Sequence, residues 1–106
     1  MHILPLAHDH DFINTSADDL LDLARVFRRM MARLNAVLGG AQYNFFFHSI
    51  PHGRQYVGSA ASFHWHIEIC PRTGIPSGFE LGAGLFLNTI CPEEAADSLR
   101  NVVLPE

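Results

Sequence analysis

Three of the seven histidines in this 106-residue chain fall where imidazoles can act together. His64 and His66 sit in the run Phe63 to Cys70, whose aromatic and β-branched residues predict a strand. Side chains alternate along a strand, so Phe63, Trp65, Ile67 and Ile69 share one face and His64, His66, Glu68 and Cys70 the other. A second aromatic run, Tyr43 to Ile50, predicts an antiparallel neighbour on which Phe46 and His48 share a face. Directly opposed residues lie roughly 4.5–5.5 Å apart, which brings His48 within reach of His64 and His66. Converging neutral imidazoles suit a zinc or iron ion. Alternatively, an imidazole oriented by its neighbours attacks a phosphoryl group, with Arg72 and backbone N–H groups stabilising the charge that develops. A solvated structural face is the third reading of the same pattern.

The rest of the chain must position this strand pair. His2 to Leu6 reads as the end of a strand, with Pro5 limiting its pairing. Asn14, Thr15 or Ser16 can cap a helix whose first turn carries Asp18 and Asp19, where the helix dipole favours negative charge. Leu20, Leu23, Ala24, Phe27, Met30, Met31, Leu34, Val37 and Leu38 then recur at helical spacing. Arg25, Arg28, Arg29 and Arg33 fall largely between them as a solvated back, and Gly39-Gly40 is the stop. A loop with Pro51, Gly53, Gly58 and Ser59 joins the two histidine-bearing strands. Phe79 to Asn88 reads as a third strand, interrupted by Gly82 and Gly84. Pro92-Glu93-Glu94 opens a short helix through Arg100, with Pro at its start.

Composition narrows the function classes. With 48% hydrophobic and 17% charged residues, the chain is expected to form a single globular domain over residues 1–106. No apolar run approaches the roughly 18 residues needed to span a bilayer. A formal charge of −4 gives no reason to propose nucleic acid or an anionic membrane as partner. Cys70 and Cys91 lack a C-x-x-C spacing and no signal peptide opens the chain, so the cytoplasm is the expected compartment and both thiols are expected to be buried and structural.

Three stretches together resemble the C-terminal half of galactose-1-phosphate uridylyltransferases: Phe63-His64-Trp65-His66-Ile67-Glu68-Ile69-Cys70-Pro71-Arg72, Gly78-Phe79-Glu80-Leu81-Gly82-Ala83-Gly84, and Pro92-Glu93-Glu94-Ala95-Ala96. Leu4-Pro5-Leu6-Ala7-His8 and Tyr43-Asn44-Phe45-Phe46-Phe47-His48 match the same half in order. The resemblance covers nearly the whole chain. It implies an α+β, histidine-triad-like fold: an antiparallel sheet crossed by one long helix, with a short C-terminal helix. It also implies that the fold's first strands precede the position of Met1.

The resemblance further implies roles for individual residues. His48, His64 and His66 are similar to the histidines that hold a structural metal, zinc or iron, in this half of some members. In others the ligands are a C-x-x-C pair with the histidines at the positions of His8 and His64; no C-x-x-C precedes His8 here. Phe79 and Glu80 resemble the aromatic-acidic pair that helps hold the hexose phosphate. The family's nucleophile lies in a His-Pro-His-Gly-Gln stretch, which this sequence lacks. In the wider histidine-triad proteins the motif is His-x-His-x-His; His66 takes its central, nucleophilic position and Glu68 replaces the last histidine, where a carboxylate repels a phosphate dianion.

The expectation is therefore a uridylyltransferase-like, metal-binding or substrate-positioning half. It would take a nucleotide sugar or sugar phosphate, form a homodimer and be inactive in transfer alone. Its metal ligands would be His48, His64 and His66, with His8 in reserve, and its substrate contacts Phe79, Glu80 and Arg72. The alternatives are a small nucleotide hydrolase or transferase with His66 as catalytic nucleophile, and a non-catalytic dimerisation module. His2, His10 and His52 are read as bystanders.

Overall fold

A computed structural model describes residues 1–51 and 59–104. The fold is α+β: a three-stranded antiparallel sheet, a long helix and a short C-terminal helix. Strand β1 spans His2–Ile3, helix α1 Ala17–Leu38, β2 Tyr43–His48, β3 His66–Pro71, α2 Gly78–Ala83 and α3 Pro92–Asn101. The sheet order is β1-β3-β2, so β3 takes the centre. No helix is long and apolar enough to cross a membrane among the described residues.

Contacts divide the chain into two compact units, one of residues 1–27 and 43–71, the other of residues 28–42 and 72–106. The first is organised by alternation along β3. Ile67 and Ile69 are 1% and 0% exposed, and Trp65, just before the strand, is buried with them. Each such side chain withdrawn from water contributes roughly 1.5–3 kcal/mol. Phe47 and Phe45 lie opposite Ile67 and Ile69 on β2. Phe12 packs its ring against both Phe47 and Trp65, and Phe27 from α1 packs on Phe45. The turn before α1 is tied in by Ser49, whose hydroxyl donates to Asp11 Oδ1 and accepts from the Phe12 N–H.

Helix α1 starts as its sequence predicts. The Ser16 hydroxyl accepts the Asp19 N–H at 3.1 Å and donates to the Asp19 carboxylate. Its end comes at Gly39 and Gly40, both at positive φ, where a side chain would be strained. In the second unit Leu34 is buried. Arg33, expected on a solvated helix back, instead donates to the Leu99 and Arg100 carbonyls at 2.6 and 2.8 Å, satisfying the end of α3.

Two further expectations are corrected. The third strand, Phe79 to Asn88, is not a strand: its first half is helix α2. The reason is local. The Glu80 carboxylate reaches back to the Ser77 N–H, closing the helix start, and Gly84 at φ 66° ends it after six residues. The sheet's third member is instead β1, which pairs His2 with Glu68 and Ile3 with Ile67. The thiols of Cys70 and Cys91 are free and exposed rather than buried. Cys70 shares its strand face with His66 and Glu68, away from the core. Of the loop between β2 and β3, residues 52–58, including His52, lie outside the described residues.

Candidate functional site

The outer face of the sheet carries the polar chemistry, and β-pairing assembles it. His48 is directly opposite His66, and Phe46 and His2 both lie opposite Glu68. Parity therefore brings His2, His48, His66 and Glu68 to one face, within the first unit. The rings of His48 and His66 stack with centroids 4.8 Å apart and planes 3° from parallel. His2 stacks on His66 at 5.3 Å and 19°.

Glu68 sits between the outer two imidazoles. One carboxylate oxygen is 3.2 Å from His2 Nε2 and the other 3.6 Å from His48 Nε2. The first is a hydrogen-bond distance and the second is not. His66 is oriented differently. Its Nδ1 lies 3.1 Å from the His64 carbonyl oxygen, an acceptor only, so the contact favours the Nδ1–H tautomer of the neutral ring, in which Nε2 holds the lone pair.

The expected trio of His48, His64 and His66 is divided. His64 precedes the first ladder position of β3, and the Trp65 N–H donates to the Asp9 carbonyl, so this segment follows the N-terminal chain rather than β2. The His64 ring meets His8 edge-on at 5.4 Å. His64 Nε2 is buried without a hydrogen-bond partner among the described residues, and His8 Nε2 lies 3.1 Å from the Ala60 carbonyl.

An unpartnered buried imidazole nitrogen beside a second imidazole is a donor pair that does not by itself make a metal site. It would offer at most two of the four ligands that structural zinc takes, and no third His, Cys, Asp or Glu joins it in a ligand cluster among the described residues. The donors that do cluster are His2, His66 and Glu68, whose ligand atoms lie within 4.8 Å of one another. Of these only His66 was expected as a ligand. Glu68 was legible by its parity with His66. His2 was not, because a two-residue strand leaves no periodic signal.

The expected substrate contacts belong to the second unit. Phe79 is exposed on the first turn of α2. Both carboxylate oxygens of Glu80 already accept backbone hydrogen bonds, from Ser77 N–H at 3.0 Å and Leu87 N–H at 3.1 Å. Arg72 donates its backbone N–H to the Gln42 carbonyl and lines an open recess with Gln42, Thr73, Gly74 and Ile75. His10 approaches only Asp9, at 3.9 Å.

No family model matches the chain. An ADP-glucose phosphorylase of Arabidopsis thaliana is 28% identical over 103 residues, covering 96% of this chain. The chain spans 29% of the length of that curated relative. A crystal structure of an ADP-glucose phosphorylase from the same plant, with bound ADP-glucose, superposes with a TM-score of 0.87 at 27% identity, over 97% of this chain and 33% of that one. A uridylyltransferase mutant superposes with a TM-score of 0.73 at 29% identity, over 93% and 34%. In sequence and fold the chain thus resembles the galactose-1-phosphate uridylyltransferase-like proteins of the histidine-triad-like superfamily, over a third of their length, a span consistent with their C-terminal half.

Proposed function

We propose that this chain is a metal-binding or substrate-positioning part of a uridylyltransferase-like nucleotidyltransferase, taking a nucleotide sugar or sugar phosphate and unable to carry out transfer alone. One observation carries the reading: 97% of the chain superposes on a third of a phosphorylase that holds ADP-glucose. The missing His-Pro-His-Gly-Gln stretch supports the second clause, since the family's nucleophile has no counterpart there.

A second reading, His66 as nucleophile, draws on the hydrogen bond that leaves its Nε2 lone pair available. That nitrogen would attack the α-phosphorus of a nucleoside diphosphate sugar; the bond to the bridging oxygen would break and hexose 1-phosphate would leave. Glu68 weighs against this, because its carboxylate shares the site and repels the incoming phosphates. The edge position of strand β2, where Phe45, Phe46 and Phe47 are each nearly half exposed, supports a homodimer. Two exposed free thiols accord with a reducing compartment, the cytoplasm.

Radiolabelled ADP-glucose and UDP-glucose, offered separately to the purified chain, test the proposal. The expected result is saturable binding of at least one, with neither hexose 1-phosphate release nor label on the protein. Absence of binding for both nucleotide sugars and for hexose 1-phosphate would overturn it. A covalent adduct that His66→Ala abolishes would replace it with the nucleophile reading.

A further inference from the structure

Strand β2 is an edge of the sheet, and the ladder beside it fixes which way its backbone groups point. The Arg72 N–H donates to the Gln42 carbonyl, so residues 42 and 72 form a hydrogen-bonded pair in the β2–β3 register. Hydrogen-bonded and non-hydrogen-bonded pairs alternate in an antiparallel ladder. Asn44, Phe46 and His48 therefore direct their N–H and C=O groups to β3, and Tyr43, Phe45 and Phe47 turn theirs to the open edge. The far side of β3 agrees: Ile69, opposite Phe45, exchanges both of its bonds with Met1. Outside the ladder, no described residue hydrogen-bonds the N–H or C=O of Tyr43, Phe45 or Phe47.

We propose that β2 pairs antiparallel with β2 of a second copy of this chain, about a two-fold axis through Phe45. Phe45 then stands opposite the partner's Phe45, and Tyr43 opposite the partner's Phe47. Each hydrogen-bonded pair exchanges two bonds, so every outward donor and acceptor of Tyr43, Phe45 and Phe47 is satisfied. An axis through Phe46 instead leaves Tyr43 facing Ser49, beyond the strand. A slip of one residue sets Phe45 against Phe46 and mixes the two faces of the sheet. The proposal deepens the homodimer of the reading above, on which it rests, by naming the interface and its register.

Three features identify the occupant as a second copy. First, no Asp, Glu, Lys or Arg occurs from Tyr43 to Ile50. Edge strands that must stay unpaired are commonly blunted by charge, and a two-fold axis would oppose like charges, which this strand lacks. Second, Tyr43, Phe45 and Phe47 lie on the core side of the sheet, yet are 44, 45 and 48% exposed. Leu20, on the stripe of α1 that carries Phe27, is likewise 41% exposed. The chosen register sets these aromatic rings against their own equivalents and extends the core across the axis. Third, the area suffices. With Phe46, four aromatic side chains are each nearly half exposed, which amounts to roughly 550–900 Å² over two copies. The backbone edge and Leu20 bring this to about 1,000 Å², the lower end of specific interfaces, so the dimer is a dissociable one.

Sedimentation of the full chain from about 1 to 200 µM tests the proposal, and a monomer–dimer equilibrium with a Kd of about 1–100 µM is expected. A mixture of isotope-labelled and unlabelled chain reads the register. Asn44 and the partner's Phe46 oppose each other as a non-hydrogen-bonded pair, about 4.5 Å between Cα atoms, and should give an intermolecular Hα–Hα NOE. Tyr43→Pro removes an outward N–H at the first strand residue, where proline is tolerated. Phe46→Lys places a charge on the edge, opposite Glu68 of its own sheet. Each should weaken dimerisation at least about tenfold. Circular dichroism confirms folding, and Phe46→Lys carries the result if Tyr43→Pro does not fold. A monomer at every concentration, open-ended larger assemblies, or a dimer that both variants leave within about threefold would each overturn the interface. A dimer without the Asn44–Phe46 contact would overturn the register. Nucleotide-sugar binding is measured on the same samples: a dimer that binds none removes only the substrate-positioning reading, and a monomer that binds removes only this interface.

Discussion

His48 and His66 lie directly opposite each other across the β2–β3 ladder, with their imidazoles 4.8 Å apart and 3° from parallel. Cross-strand aromatic pairs of this kind contribute roughly 0.2–1 kcal/mol. The stack needs a flat ring at residue 48, and the approach to Glu68 needs its nitrogen. His48→Phe should therefore keep the unfolding free energy within about 0.5 kcal/mol of the parent, while His48→Ala should lower it by up to about 1 kcal/mol. Urea denaturation of the three proteins checks this. Equal losses in both variants would show that the stack carries no stability.

The inner face of β3 is far less forgiving. Ile69 is 0% exposed and lies opposite Phe45, on which Phe27 packs. Ile69→Ala should cost about 2–5 kcal/mol, and Ile69→Val about 0.5–1.5, measured as a shift of the urea midpoint at constant m-value. An Ile69→Ala cost under about 1 kcal/mol would mean that this core collapses around the deletion.

That contrast between faces was legible in the sequence, because period-two alternation from Phe63 to Cys70 is a backbone property that tertiary context did not override. The same alternation failed at its start. His64 shares the parity of His66, yet the Trp65 N–H bonds to Asp9, so His64 leaves the ladder and meets His8. Such a bond joins residues 56 apart and has no local signature. Phe79 to Asn88 read as a strand interrupted by Gly82 and Gly84, while the Ser77 and Glu80 spacing that starts α2 is itself a sequence signal that the strand reading passed over.

Acid should reveal the turn before α1. Asp9 has its pKa lowered from the ordinary carboxylate value, first by the hydrogen bond its carboxylate accepts from the Asp11 N–H; desolvation opposes this, and the Asn14 side chain and His10 add smaller lowering contributions. A depressed carboxylate pKa adds stability that is complete above the unfolded value and is lost as pH falls through the folded one. Asp9→Asn should therefore lower the melting temperature at pH 7 and lower it less at pH 3. Thermal melts at both values decide; an equal or larger loss at pH 3 would assign the effect to geometry rather than charge.

Glu80 separates a structural role from a binding one. Its two oxygens accept from Ser77 N–H at the start of α2 and from Leu87 N–H beyond its end, so one carboxylate ties both flanks of a six-residue helix. A helix that short has too few internal hydrogen bonds to persist without such ties. Glu80→Ala should cost about 1 kcal/mol and raise amide hydrogen exchange at Ser77 and Leu87 together. Glu80→Gln keeps one acceptor oxygen and two donors, so it can hold one flank but not both, and exchange should rise at only one of the two amides. The sugar-binding role implied by the family resemblance predicts a different pattern: weaker hexose 1-phosphate binding in Glu80→Gln with both amides still protected. Measuring exchange and binding on the same two variants separates them, because amide exchange reads the loss of a backbone acceptor and hexose 1-phosphate binding reads the loss of a sugar contact.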